Sequence, residues 1–178
     1  MTDKDKSNTE KPVWFAIKTN QDFRAEEVLS PFFEEVFFPK QIRVMPNKKS
    51  RSTALIPHVL FIRATQDRAL EVEEKSKARS LPVSFWIYRF PDEKRIRPIP
   101  EASIELLRLI SSDESGTCEI ISKTDMRPGE KVRITQGIYA GYEGFVKRIK
   151  KNKHVIVQIE GLCLVMLPYI PVAFLERI

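Results

Sequence analysis

Glycine is scarce in this chain and absent from its first 115 residues. The 178-residue sequence holds six glycines, and the first of them is Gly116. Glycine is favoured at tight turns and left-handed backbone positions, so this uneven distribution indicates two regions with different backbone demands. We therefore expect two domains, with a boundary in the serine-rich and acidic stretch 111–126.

Cysteine and histidine are also rare, which limits the chemistry that the chain can perform. Two cysteines, Cys118 and Cys163, are too few for a disulfide framework and lack metal-ligand spacing. His58 and His154 have no partnered carboxylate or cysteine motif nearby in sequence. A phosphate-binding glycine loop and a serine nucleophile motif are missing as well. We expect no catalytic residue, no metal and no cofactor, hence a protein that is not an enzyme.

Long apolar runs are missing too. No segment has the length of a membrane-spanning helix, and the first twelve residues are polar and charged, unlike a signal or transit peptide. Hydrophobic residues make up 42% and charged residues 30% of the sequence, as in soluble globular proteins. The sequence predicts a cytoplasmic protein without a membrane partner. Its formal net charge of +6 favours a polyanionic partner.

Strand and helix patterns alternate in the first hundred residues. Apolar runs predict strands at 13–19, 36–45, 54–64 and 82–90. Helical spacing predicts helices at 20–30, 65–78 and 98–110. Pro31 is expected to end the first helix and Thr65 to cap the second, while 46–53 is expected to be a basic loop. The alternation predicts helices packed against a sheet.

Strand patterns dominate the last fifty residues, where no helix is expected. Five short strands are predicted at 131–135, 142–149, 154–159, 162–167 and 172–178, which is typical of a small β-barrel. Gly137 and Gly141 lie between the first two strands, and Gly144 lies within the second. Because a strongly bent barrel needs tight turns and bulges, we interpret these glycines as its corners.

A specific resemblance emerges from "MRPGEKVRITQGIYAGYEGFVKRI", residues 126–149. This segment resembles the KOW module of the NusG family of bacterial transcription elongation factors. Upstream, "VWFAIKTNQDFRAEEVL", "LIPHVLFI" and "RPIPEASIELLRLI" are similar, in the same order, to parts of the NGN domain that precedes KOW in that family. The resemblance covers nearly all residues from 13 to 178. The form of the strand at 55–62 looks most like the specialised UpxY-type paralogues of capsular polysaccharide operons.

The resemblance implies an α+β fold in four parts. Residues 1–12 would be a disordered tail, and 13–112 would form an NGN-type α/β sandwich with an antiparallel sheet. Residues 113–127 would be a linker, and 128–178 would form an SH3-like KOW β-barrel.

The resemblance also implies a function that involves no covalent chemistry. The amino-terminal domain would dock on the clamp helices of the RNA polymerase β′ subunit and suppress pausing or termination. The protein would act as a monomer in the bacterial cytoplasm. By their place in the matching strands, the candidate polymerase-binding residues are Ile56, Val59, Phe61, Phe85 and Trp86. The alternative for these side chains is the domain's own core, since alternate strand residues face inward.

Two basic segments are candidates for contact with non-template DNA or nascent RNA. Their residues are Lys48, Lys49 and Arg51 in the first domain, and Lys147, Arg148, Lys150, Lys151 and Lys153 in the barrel. Such contacts would be independent of base sequence and sensitive to salt. The alternatives are a solvated loop and a hairpin whose lysines protect an edge.

The KOW module implies a further partner, either another regulatory protein or a ribosomal protein. In the matching place of the later strands, however, this chain reads "EGLCLVML", and only Gly161 agrees with the family's pattern. A KOW-type RNA-binding or ribosome-associated protein is therefore the alternative function. In that case the basic barrel would carry the binding and the first domain would be accessory.

Overall fold

The protein is described by a computed structural model. The description covers residues 11–90, 93–113, 118–121, 129–149, 151–159 and 162–178. The predicted tail at 1–12 and the predicted linker at 113–127 therefore lie largely outside it, as do Lys150 and Gly161.

Helices and strands are numbered in chain order. The helices are α1 (Asp22–Leu29), α2 (Gln66–Lys77) and α3 (Glu101–Ser112). The strands of the first part are β1 (Val13–Thr19), β2 (Glu35–Phe37), β3 (Lys40–Val44), β4 (Ser50–Ala54), β5 (Val59–Ala64) and β6 (Phe85–Ile87). The later strands are β7 (Glu119–Ile121), β8 (Lys131–Ile134), β9 (Glu143–Ile149), β10 (Asn152–Ile159), β11 (Cys163–Met166) and β12 (Leu175–Arg177). Short 3-10 turns cover Ser30–Phe32 and Val172–Phe174.

The chain forms two compact units. The first consists of Met1–Pro39 with Ile56–Glu101, and the second of Lys40–Leu55 with Ala102–Ile178. The hairpin of β3 and β4 and nearly all of α3 thus belong to the second unit. The predicted domains divide the chain differently, at 112, and their bounds stay a prediction.

The first unit is built on a four-stranded antiparallel sheet with the order β2-β5-β1-β6. The long central strands are almost wholly apolar, and β5 is buried at every position except the half-buried Arg63. Helices α1 and α2 pack on this sheet. Helix α2 begins as predicted, because the hydroxyl of Thr65 accepts a hydrogen bond from the Arg68 amide at 3.2 Å.

The second unit is built on a six-stranded antiparallel sheet with the order β12-β8-β9-β10-β11-β7. Strands β3 and β4 form a separate two-stranded ribbon. Two tyrosines of the barrel contact α3 and the residue after it. The hydroxyl of Tyr139 donates to Asp113 Oδ2 at 2.7 Å, and that of Tyr142 donates to the Ala102 carbonyl at 3.3 Å.

The predicted α+β class, an antiparallel sheet with helices followed by a small barrel, is confirmed. Several predicted elements differ in extent. The expected strand at 54–64 begins only at Val59, because His58 has a left-handed φ of 65° and turns the chain. The expected loop at 46–53 contains most of β4, and the expected linker contains β7, which pairs with β11.

Candidate functional site

One face of the first sheet carries a band of aromatic side chains. The registers pair Ala16 with Phe61, Phe37 with Phe61 and Lys18 with Trp86, and paired residues share a face. We call this surface the Trp14 face. By alternation along the strands it comprises Trp14, Ala16, Lys18, Glu35, Phe37, Val59, Phe61, Arg63, Trp86 and Tyr88.

The aromatic rings of the Trp14 face contact one another across the strands. Trp14 and Phe37 meet edge to face with their centroids 6.5 Å apart, and Phe37 lies 6.2 Å from Phe61. Near β6, the ammonium of Lys18 lies 4.7 Å from the centre of the Tyr88 ring. Such a cation–π contact holds both groups in place, and it gives the β6 end of the face an aromatic and positively charged character.

The five predicted polymerase-binding residues do not form one exposed patch. Val59, Phe61 and Trp86 share the Trp14 face, whereas Phe85 lies on the opposite face, with its ring edge-on to Phe33 at 6.4 Å. Adjacent residues of a strand point in opposite directions, so Phe85 and Trp86 cannot serve the same surface. The other member of the set, Ile56, lies in the turn before β5.

Exposure separates the five residues further. Ile56, Val59, Phe61 and Phe85 are buried, whereas Trp86 is 48% exposed. Trp86 is therefore the member of the set that the described structure presents to solvent. A polymerase-binding role for all five stays a prediction.

The exposed position of Trp86 is held by helix α2. The amide of Phe85 donates to Ser76 Oγ, and the amide of Ile87 donates to Glu73 Oε2, each at 3.0 Å. These side chains satisfy the outward-pointing amides of an edge strand on both sides of Trp86. The strand is short, with three residues, so these two hydrogen bonds are a large part of what fixes it.

Glu73 is a buried carboxylate with a full set of partners. It is 1% exposed, and it receives Lys77 Nζ at 2.9 Å and Arg89 Nη2 at 3.1 Å in addition to the Ile87 amide. Burial opposes its ionisation, but the hydrogen bonds from Lys77, the Ile87 amide and Arg89 outweigh burial and lower the pKa of Glu73. The charged form of Glu73 therefore ties α2 to β6.

The ribbon of β3 and β4 carries the first group of predicted nucleic-acid-binding residues. Lys48 and Lys49 lie in its loop and Arg51 lies on β4, all three exposed. Arg51 is directly opposite Arg43, a residue that sequence reasoning did not select. Residues 40–55 contain five bases and no acid, and like charges placed opposite each other destabilise a hairpin. The ribbon thus concentrates positive charge on an exposed element, as an anion-binding surface requires.

The opposite face of the same ribbon is apolar and exposed. Ile42 is 68% exposed and Val44 72% exposed, and Met45 follows them into the loop. The alternation of Ile42 and Val44 with Gln41 and Arg43 indicates a strand with one apolar face. It does not show that this face is exposed, because the same alternation is typical of a strand whose apolar face is buried.

The second basic group lies on the hairpin of β9 and β10. Arg148 is paired with Lys153 and Lys147 with His154, so the hairpin has the form that the sequence predicted. Arg148, Lys151 and Lys153 are exposed and Lys147 is half-buried, while Lys150 lies outside the described residues. The structure does not bring this hairpin together with the β3–β4 ribbon into one described site.

Glycine is needed at these three positions of the barrel for different reasons. Gly137 and Gly141 lie in the loop before β9 with φ angles of +87° and +92°, which other residues rarely adopt. Gly144 has an ordinary φ but is buried on β9, where a β-carbon would overlap the carbonyl oxygen of Ile156 on β10. The lack of a side chain at this position allows the two strands to approach.

The two thiols are poor nucleophiles. Burial raises the pKa of Cys118 to about 12, with the neighbouring Asp113 carboxylate adding to the effect, and burial alone raises the pKa of Cys163 to about 12. Among the described residues, no group of three or more His, Cys, Asp or Glu side chains is placed to hold a metal ion.

Within the described residues, no helix has the length and apolar character needed to cross a membrane.

Several solved structures have a similar fold. NusG of Thermotoga maritima superposes with a TM-score of 0.54 at 16% sequence identity, and the match covers 94% of this chain and 98% of the other. The chain has a NusG-like fold. The resemblance seen in the sequence is thus confirmed at the level of the fold, across both the NusG-like first part and the barrel.

A second solved structure is less similar to this protein. The MjSpt4:Spt5 complex matches with a TM-score of 0.29 and 19% identity over 93% of this chain and 96% of that one. No protein-family model and no curated protein sequence matches the chain.

Proposed function

We propose that this protein is a bacterial transcription elongation and antitermination factor that binds RNA polymerase and does no covalent chemistry. The observation that carries the proposal is the NusG-like fold over 94% of the chain, together with the sequence motifs quoted above. A protein of this kind acts by binding one state of the transcribing enzyme more tightly than another.

The first unit provides the polymerase contact in this proposal. The clamp helices of the β′ subunit would dock at the β6 end of the first sheet, on Trp86 and Lys18, which are exposed members of the Trp14 face. Exposed aromatic residues are favoured anchors of protein interfaces. The protein acts as a monomer in the cytoplasm, where it associates with the nucleoid through polymerase.

The basic ribbon provides a nucleic-acid contact in the same complex. Lys48, Lys49 and Arg51 are exposed, and their ribbon carries no acidic residue, which supports contact with the phosphates of non-template DNA or nascent RNA. The barrel would provide a separate binding surface for a regulatory or ribosomal protein. Specialisation as a UpxY-type factor for capsular polysaccharide operons completes the proposal and is supported by the sequence resemblance alone.

The test is the affinity of the full-length protein for core RNA polymerase and for polymerase with substituted β′ clamp helices. We expect binding to the first and at least tenfold weaker binding to the second, because the clamp helices supply the docking surface. Trp86→Ala should weaken binding, whereas Phe23→Ala, which removes an exposed aromatic residue from α1, should not. Equal affinity for the two polymerases would contradict the proposal.

The alternative is an RNA-binding or ribosome-associated protein, which the exposed bases of the β9–β10 hairpin favour. It predicts that substitution of Arg148 and Lys153 removes RNA binding while polymerase binding is undetectable. Retention of polymerase binding by that double variant would exclude it.

A further inference from the structure

The outer side of strand β3 is an unpaired sheet edge. Strands β3 and β4 form a two-stranded sheet by themselves, and no other described strand pairs with either of them. Each of the two has five residues, whereas the edge strands of the larger sheets, β2, β6, β7 and β12, have three residues each. Short edge strands are one way in which proteins avoid pairing with other chains. The ribbon of β3 and β4 thus has the longest open edges in the described part of the chain.

The backbone groups of Ile42 and Val44 point outward from the edge of β3. The Met45 amide donates to the Lys49 carbonyl at 2.9 Å, so these two residues form a hydrogen-bonded pair of the hairpin. Hydrogen-bonded and non-hydrogen-bonded pairs alternate along an antiparallel ladder. By the register, Val44 and Ile42 both fall in non-hydrogen-bonded pairs with β4. Their amides and carbonyls are therefore available to a further strand.

The side chains at the same two positions are apolar and exposed. Ile42 is 68% exposed and Val44 is 72% exposed, and both lie on one face of the ribbon. The edge of β6, in contrast, is covered, because Ser76 and Glu73 of α2 accept hydrogen bonds from its outward amides. At β3 the described residues cover neither the outward amides nor the apolar side chains. An edge of this kind is a site at which an extended segment of another chain can add as a strand.

The base of the ribbon is fixed, so the edge of β3 has a defined position in the second unit. Gln41 is buried, and its side-chain amide donates to the Cys118 carbonyl at 3.3 Å. The Thr53 hydroxyl donates to the Gln41 carbonyl at 3.3 Å, and Leu55, directly after β4, is buried. The side chain of Gln41 lies on the face opposite to Ile42, since neighbouring residues of a strand alternate. A strand that binds the edge therefore leaves these contacts intact.

The charge of the ribbon selects the kind of strand that can bind. Residues 40–55 contain five bases and no acid. Arg43 and Arg51 stand directly opposite each other, and neither makes an ion pair within the described residues. A second copy of the ribbon would bring five more bases to the edge, and neighbouring like charges are unfavourable. An acidic segment would instead place opposite charges beside Arg43.

We propose that β3 binds an extended acidic peptide, which adds to the ribbon as a third, antiparallel strand. In this peptide, apolar residues alternate with acidic ones. The apolar residues pair with Ile42 and Val44 and share their face, while the acidic residues lie beside Arg43 on the other face. The inference goes beyond the proposed function, because the partner is a peptide segment rather than the clamp helices or nucleic acid.

A peptide strand uses every feature of the edge. Main-chain hydrogen bonds give such complexes their affinity, and alternate side chains give their specificity. Nucleic acid would contact the bases of the ribbon, but it would leave the apolar side chains of Ile42 and Val44 exposed. An acidic strand covers these side chains and pairs with the bases at the same time.

The probe is a capped, fluorescently labelled peptide of alternating valine and glutamate. Its binding to the full-length protein is measured by fluorescence anisotropy without polymerase or nucleic acid, so the result is independent of the proposed function. A peptide of the same composition, with all valines before all glutamates, is the control for charge. The alternating peptide should bind about tenfold more tightly, because only this peptide places apolar and acidic residues on opposite faces of a strand.

N-methylation of the peptide tests the backbone hydrogen bonds. When its valines pair with Ile42 and Val44, the valine amides point towards β3 and the glutamate amides point away. Methylation of the valine amides should therefore abolish binding, whereas methylation of the glutamate amides should leave most of it. The two methylated peptides have the same charge and the same number of methyl groups. Equal binding by them would overturn the proposal.

Ile42→Pro is the informative variant of the protein, and Ser52→Pro, directly opposite on β4, is its matched control. Each substitution removes an outward amide in the middle of a strand, a position at which an edge strand tolerates proline. Ile42→Pro should weaken peptide binding about tenfold, the size of a lost hydrogen bond, whereas Ser52→Pro should not. Hydrogen-exchange protection of the Arg43 and Arg51 amides reports whether the ribbon is intact. Val44→Thr keeps the backbone amide and removes only apolar surface, so it should weaken binding even if a proline variant disrupts the ribbon.

Three further results would overturn the proposal. These are equal affinity of the two proline variants with intact ribbons, equal affinity of the alternating and block peptides, and no binding of the alternating peptide. Self-association of the protein that Ile42→Pro abolishes would assign the edge to a second copy instead. Binding to phosphatidylglycerol vesicles that Val44→Thr abolishes would assign the apolar face to a lipid surface.

Discussion

Gly144 offers the sharpest test of how the barrel is held together. The residue is buried on β9, and a β-carbon there would overlap the Ile156 carbonyl oxygen and lie 3.0 Å from Val155 Cγ1. The overlapped atom belongs to the backbone of β10, so it cannot move aside as the end of a flexible side chain would. Relief requires β9 and β10 to separate along their ladder, which runs from Phe145 opposite Ile156 to Asn152 opposite Ile149.

The size of the effect follows from this geometry. Added atoms in a packed interior cost about 1–3 kcal/mol, and a contact with backbone belongs at the upper end of that range. Gly144→Ala should therefore destabilise the second unit by about 3 kcal/mol, and Gly144→Val by more. Native domains are stable by about 5–15 kcal/mol, so Gly144→Val should remove a large fraction of the stability of the second unit.

The assay exploits the placement of tryptophan. Both tryptophans, Trp14 and Trp86, belong to the first unit. Their fluorescence in denaturant reports that unit, while amide hydrogen exchange reports the strands of the second. Gly141→Ala is the control, because a β-carbon there meets nothing within 4 Å and the cost is only that of its positive φ. Wild-type exchange protection of β9 and β10 in Gly144→Ala would show that Gly144 is not needed for the close approach of these strands.

Three further predictions concern the first unit and the ribbon. Glu73→Gln should lower stability by about 2 kcal/mol at pH 7, because charged hydrogen bonds are lost. The folded pKa of Glu73 is lowered, so its contribution is present above the unfolded pKa of about 4.3 and is lost as pH falls through the folded pKa. Denaturation curves should thus converge for the two proteins in acid, and a gap independent of pH would contradict this. Arg79 lies just after α2 with a left-handed φ of 58°, so Arg79→Gly should stabilise the first unit by about 1 kcal/mol in the same assay. A loss of stability would show that the arginine side chain supports the fold. Lys49→Ala with Arg51→Ala should reduce the salt dependence of nucleic-acid binding, and an unchanged slope of log affinity against log salt would remove the ribbon from the interface.

Much of the fold was readable because its strands have strong local signals. The apolar runs of β1 and β5 and the alternation in β8 gave elements close to those observed. The errors lie where local pattern is ambiguous. "LIP" before His58 is as apolar as the strand that follows, and only the left-handed turn at His58 separates them. Strand β7 has only three residues, and it pairs with β11, which lies more than forty residues away in sequence. No local sequence pattern therefore predicts this strand.

The candidate site was less predictable than the fold. The sequence shows the aromatic residues of the site, but it does not show which side of the sheet Phe85 and Trp86 face. A shift of β6 by one residue would exchange the sides of these two residues. Burial of Val59 and Phe61 is a property of tertiary packing rather than of the strand itself.

If this protein changes the behaviour of transcribing RNA polymerase, as we propose, the lifetime of a transcriptional pause should depend on it. Elongation by purified polymerase on a template with a defined pause is followed in time, with and without the full-length protein. We expect shorter pauses in proportion to bound protein, with the effect weakened by Trp86→Ala. Pause lifetimes that stay unchanged when the protein saturates polymerase would contradict it.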